Sequence, residues 1–88
     1  MDDARDEDDR IVRVNAGELT ADEIIDALES GSRVIITVDL FGSTTDIALR
    51  HDGEIYYCDT PTRLHKHRQE SEMRACIERM GYGRTEDE

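Results

Sequence analysis

Apolar positions along this chain follow two rhythms, and the switches between them mark out its elements. Ile11, Val12 and Val14 form a short β-branched run interrupted by Arg13, which reads as a first strand with Val12 and Val14 turned inward. Next comes a helix start. Thr20 stands at an N-cap with Glu23 three residues on, and Leu19 and Ile24 occupy the flanking staple positions. Ile24, Ile25 and Leu28 give the helix its apolar stripe, and Gly31 supplies the left-handed residue that stops it after Ser30.

From Arg33 the period becomes two. Val34, Ile36, Val38 and Leu40 fall on one face, and Ile35, Thr37 and Asp39 on the other. This second strand ends at Gly42 and Ser43. Thr44 to Arg50 and Glu54 to Asp59 then flank Asp52-Gly53, a pair that signals a two-residue type I′ hairpin. Such a turn pairs His51 with Glu54, Leu49 with Tyr56 and Ile47 with Cys58, and places Cys58 in the core. Thr60-Pro61 interrupts the pattern, because proline has no N–H for a ladder and can equally open a helix; residues 60–70 are left as loop or helix. Met73, Cys76, Ile77 and Met80 restore helical spacing, and Gly81 closes it, so a second helix covers at least Ser71 to Met80.

The order is therefore β-α-β-β-β-α. A strand, a crossover helix and a further strand imply parallel pairing of the first two strands, with an antiparallel meander after them. The expected fold is α+β in two layers: a mixed four-stranded sheet with both helices on the face that carries Val12, Val14, Val34, Ile36, Val38, Leu40, Ile47, Leu49, Tyr56 and Cys58.

Composition adds an environment. The 88 residues hold 22 Asp plus Glu against 11 Lys plus Arg, for a net charge of -11. Most of the excess lies in residues 1–9 and 84–88, which lack apolar periodicity and read as disordered acidic tails around one domain at residues 10–83. Lys66 is the single lysine among those 11 basic residues. With the acidic tails and the element order, this makes the whole chain resemble the short acidic uncharacterised proteins of halophilic archaea. The resemblance implies a salt-rich cytoplasm, in which carboxylates keep the surface hydrated and salt screens their repulsion. No apolar run approaches the roughly 18 residues of a membrane span, and Met1 to Arg10 is acidic where a secretory leader would be basic. Cytoplasmic residence is expected, with two free thiols and no membrane partner.

Four groups of residues have side chains capable of chemistry. Val38 to Asp46 resembles the first phosphate motif of the sugar kinase, Hsp70 and actin superfamily, and the resemblance maps onto Asp39, Gly42, Ser43 and Thr44. The chain has no room for that family's second phosphate loop and adenosine site, so a tight strand connection is the expectation here. Arg63, Lys66 and Arg68, interleaved with His65 and His67, form the one dense basic segment and provide a candidate for phosphate or nucleic acid. Cys58, His65, His67 and Cys76 are zinc-type ligands, but in the spacing C-x6-H-x-H-x8-C they lack the close cysteine pair of specific zinc motifs, so no metal is expected. A nucleophilic set of either thiol, either histidine and Glu70 requires exposed sulfur, whereas both thiols are expected in the core and inert. No catalytic residue and no cofactor are assigned.

The remaining candidate is the sheet face away from the helices. It is expected to carry Ile11, Arg13, Ile35, Thr37, Ala48, Arg50, Ile55 and Tyr57, a mixture of apolar and charged groups suited to a contact surface. The sequence thus points to an interaction module that binds itself or another protein through this face, with nucleic-acid binding by Arg63 to Arg68 as the alternative.

Overall fold

A computed structural model describes residues 10–84 of the chain. Residues 1–9 and 85–88, where the acidic tails were expected, lie outside the described residues. The elements run β1 (Ile11–Asn15), α1 (Ala21–Glu29), β2 (Arg33–Leu40), β3 (Ser43–His51), β4 (Tyr56–Asp59), β5 (Leu64–His67) and α2 (Glu70–Met80). The strands form one mixed sheet in the order β1-β2-β3-β4-β5. β1 and β2 pair in parallel and the rest form an antiparallel meander, as the crossover argument requires.

α1 begins as its sequence dictates. The Thr20 N–H donates to Glu23 Oε1 at 2.9 Å and the Glu23 N–H donates to Thr20 Oγ1 at 3.2 Å, closing the capping box. Such a cap contributes about 1 kcal/mol. Gly31 follows the C-cap with φ of 99°, and α2 ends at Gly81 with φ of 78°. The inward set is also confirmed: Val34, Ile36, Ile47, Leu49, Tyr56 and Cys58 are buried beneath Ile24, Ile25, Leu28, Met73 and Ile77. Val12, Val14 and Val38 pack partly buried against them; of Leu40 only the backbone is described. Each large side chain buried here is worth roughly 1.5–3 kcal/mol of transfer free energy.

Three expectations are corrected. The sheet has five strands rather than four, because residues 64–67 pair with β4, joining Asp59 to Leu64 and Cys58 to His65. A turn at Pro61-Thr62 makes the pairing possible: the Thr60 N–H donates to the Arg63 carbonyl at 3.0 Å, and the Thr60 hydroxyl both donates to that carbonyl and accepts from the Arg63 N–H. The second correction concerns register. His51 pairs with Tyr56 and Leu49 with Cys58, so the connection at Asp52-Gly53 spans four residues instead of two. The Asp52 carboxylate accepts from the N–H groups of Glu54 and Ile55 at 2.9 and 2.8 Å, an Asx-type turn that competes with the tighter hairpin. The two-residue turn with positive φ sits instead at Phe41 (52°) and Gly42 (87°), between Leu40 and Ser43. The third is that Ile55 belongs to the loop after β3 rather than to a strand of the open face.

Arg84, counted with the C-terminal tail from its sequence, is tied to the domain. Its N–H donates to the Leu19 carbonyl at 2.7 Å, and Thr20 and Arg84 form a parallel bridge. Tyr82 beside it is buried at 3% exposure, so the segment after α2 closes the end of the core next to the start of α1.

Candidate functional site

Two surfaces gather chemically capable side chains, one on each side of the sheet. On the open side the register builds a row of Arg13, Ile35, Ala48, Asp59 and Leu64 running across all five strands. A neighbouring row joins Ile11 to Arg33 and Arg50 to Tyr57 and Lys66. Toward the other end of the strands lie Asn15, Thr37 and Asp46, then Asp39 and Thr44. Seven of the eight residues expected on this face are there. Arg33, Asp59, Leu64 and Lys66 join them; Arg33 was legible by stepping back two places from Ile35 and Asp59 by stepping on two from Tyr57, whereas Leu64 and Lys66 depended on recognising β5.

The face has a charge gradient along the strands. Arg33, Arg50 and Lys66 stand at one end and Asp39 and Asp46 at the other, and the row between them holds Ile35, Ala48 and Leu64 together with the charged Arg13 and Asp59. Arg50 lies over the Tyr57 ring at 4.0 Å, within cation–π range. The Tyr57 hydroxyl donates to Asp52 Oδ2 at 2.9 Å, which raises its own pKa. The Ile55 and Glu54 N–H groups together with that hydroxyl hold the Asp52 carboxyl down at about 2. Arg13 and Asp46 approach to 3.7 Å while both remain more than half exposed, so the pair is weak; Asp46 also accepts from Thr37 Oγ1 at 3.0 Å.

The basic segment does not converge. Lys66 lies on the open face opposite Tyr57, while His65 and His67 turn to the helix side. Arg63 belongs to the turn before β5, and Arg68 follows the strand, donating its backbone N–H to Glu72 at 3.2 Å. The two arginines are about 17 Å apart along extended chain.

On the helix side, β4, β5 and α2 bring Cys58, His65, His67 and Cys76 together. Cys58 is 1% exposed, as expected for a core thiol. Its pKa is pushed up by the neighbouring Cys76 thiol and by burial. Cys76 departs from the expectation that both thiols are inert: it is only partly buried and lines a cleft of about 310 Å³ with His65, His67, Glu72, Arg79 and Met80. The neighbouring Cys58 and His67 draw its pKa down. His67 Nε2 is buried and has no hydrogen-bond partner among the described residues. Tyr82 shares the core cluster with Cys58, and burial raises its phenol to about 12. Glu70, the carboxylate expected in a nucleophilic set, accepts instead from Arg74 at 2.7 Å. Among the described residues no three His, Cys, Asp or Glu side chains stand as a metal-holding group, and no helix is long and apolar enough to cross a membrane.

The turn that carries Gly42 and Ser43 has Phe41 at its tip, fully exposed, with Asp39 opposite Thr44 below it. No curated protein and no solved structure matches the chain. A family profile matches nearly all of it, residues 8–85, and the chain therefore belongs to the Family of unknown function (DUF8001).

Proposed function

We propose that this protein is a self-associating module whose open sheet face packs against the same face of a second copy. The observation that carries the reading is the charge gradient on an otherwise apolar-centred face. A two-fold axis lying between the two faces and running across the strands sets the Arg33, Arg50 and Lys66 end of one copy against the Asp39 and Asp46 end of the other, with Ile35 and Ala48 near the axis. The surface complements itself. The opposite side of the molecule is unsuited to the role, since α1 and α2 expose Asp22, Glu23, Asp26, Glu29, Glu72 and Glu78 to solvent and like charges repel. A salt-rich cytoplasm, implied by the resemblance to halophilic archaeal proteins, strengthens apolar contacts when the salt is excluded from the surface.

The test is mass measurement by light scattering in molar salt. A dimer is expected for the unaltered chain. Ile35→Glu or Tyr57→Glu is expected to give a folded monomer, because a charge placed in a desolvated contact has no compensating partner. Arg63→Ala with Arg68→Ala is expected to leave the dimer intact. A monomer in molar salt overturns the reading.

A second reading draws on the cluster of Arg33, Arg50, Tyr57 and Lys66, since cations around an exposed aromatic on a sheet suit a single-stranded nucleic acid. Lys66 is the one cation of the basic segment that contributes to it. Binding to a single-stranded RNA that weakens as salt rises, in a chain that stays monomeric, would favour this reading.

A further inference from the structure

We propose that Cys76 and Cys58 form a two-thiol redox site, in which Cys76 at the cleft reacts with hydroperoxides and Cys58 beneath it resolves the product as a disulfide. The site lies on the side of the sheet opposite the surface proposed for self-association and does not depend on that reading. Its parts come from three elements. α2 presents Cys76 to a cleft open to small molecules, β4 holds Cys58 in the core cluster that Cys76 packs against, and β5 places His67 at the same cleft with a buried ring nitrogen that has no hydrogen-bond partner among the described residues. A reactive cysteine requires an accessible sulfur, a neighbour that favours the thiolate and, for reversible chemistry, a second thiol nearby. All three are present, and the two cysteines are unequal in burial: one meets solvent and the other does not.

The chemistry balances with a hydroperoxide as oxidant. The Cys76 thiol gives its proton to the unpartnered imidazole of His67, and the thiolate sulfur attacks the terminal oxygen of the hydroperoxide. The O–O bond breaks, an S–O bond forms, and the departing alkoxide takes a proton to leave as an alcohol, or as water when the oxidant is hydrogen peroxide. Sulfur is oxidised by two electrons and the peroxide is reduced by two, leaving a sulfenic acid on Cys76. The Cys58 sulfur then attacks that sulfenic sulfur, its proton leaving with the hydroxyl as water, and the two sulfurs close to the roughly 2.05 Å of a disulfide. A thiol reductant restores both cysteines. Charged and titratable groups facing Cys76 are His65 and His67 from β5, Cys58 from β4, and Glu72 and Arg79 from its own helix.

The experiment treats the folded, reduced full-length chain with hydrogen peroxide and follows thiol count and intact mass. The expected result is loss of both thiols with loss of two hydrogens from the mass, reversed by dithiothreitol. Cys58→Ser should stop at a sulfenic acid on Cys76, trapped by dimedone, and Cys76→Ser should leave Cys58 unreactive until the chain is denatured. His67→Asn should slow alkylation of Cys76 by roughly tenfold near neutral pH and move its pH profile upward, with the circular dichroism spectrum unchanged. Because Cys58→Ser changes a core position, the unaltered chain decides the question if that variant misfolds. Survival of both thiols through excess peroxide in the native state overturns the proposal. So does primary reaction at Cys58, or a stoichiometric metal ion that occupies both sulfurs in chain purified without chelator.

Discussion

Asp52 shows how one side chain sets a turn that a dipeptide alone does not. Asp-Gly is a strong hairpin signal, yet the carboxylate captures two backbone N–H groups and the Tyr57 hydroxyl, and the loop lengthens around it. Those bonds hold the folded carboxyl at about 2, below the ordinary 3.8. The stabilisation is therefore fully present above the ordinary value and is lost as pH falls from there through about 2. Asp52→Asn should lower the melting temperature at neutral pH, and its difference from the unaltered chain should vanish as pH is lowered through that window. A difference that persists unchanged at the acid end would remove the carboxylate from the account. The thiols teach a related lesson. Cys58 was legible as a core residue from strand alternation. Cys76 shared the helical stripe of Met73 and Ile77, but its stripe position faces the short edge strand β5, where the cover ends and a cleft begins.

At the scale of elements, the legible parts were those whose period matched their burial. α1 has caps, a staple and a stripe in agreement, and β2 alternates cleanly. β5 escaped because its alternation is inverted: Leu64 faces outward at 46% exposure, while His65 and His67 turn partly inward. A strand with its apolar residue outside and its polar residues inside carries no hydrophobic signal. The misjudged hairpin did less damage, since its register moved by two residues and a period-two strand keeps its faces under an even shift. Ala48, Arg50 and Tyr57, the open-face residues on the two strands that flank the changed turn, therefore needed no correction. The segment after α2 was illegible for another reason, because its role rests on a close approach. A Cβ on Gly83 would stand 2.9 Å from Ile77 Cγ2 and 3.2 Å from the Ala21 nitrogen. Neither neighbour is a flexible side-chain end, so Gly83→Ala should cost about 1–3 kcal/mol. Urea unfolding would measure it, and an unchanged midpoint would show that the segment yields freely.

For the molecule as a whole, the composition speaks about medium more than about fold. A net charge of -11 in a chain this small opposes compaction when screening is weak, with a Debye length of about 30 Å at 0.01 M salt and about 3 Å at 1 M. The melting temperature should therefore climb from dilute buffer to molar KCl and do so in the Ile35→Glu monomer as well, which separates charge screening from self-association. A flat profile would detach the acid excess from stability. Among the described residues the charges are unevenly placed, with carboxylates crowding the helix layer and Arg13, Arg33 and Arg50 on the open sheet. The domain is thus a dipole as well as an anion. On a positively charged support, such as an amine-coated chip or an anion-exchange resin, it should settle with its helices down and its strands facing outward, so that immobilisation by simple adsorption displays the sheet to any second molecule passing over it.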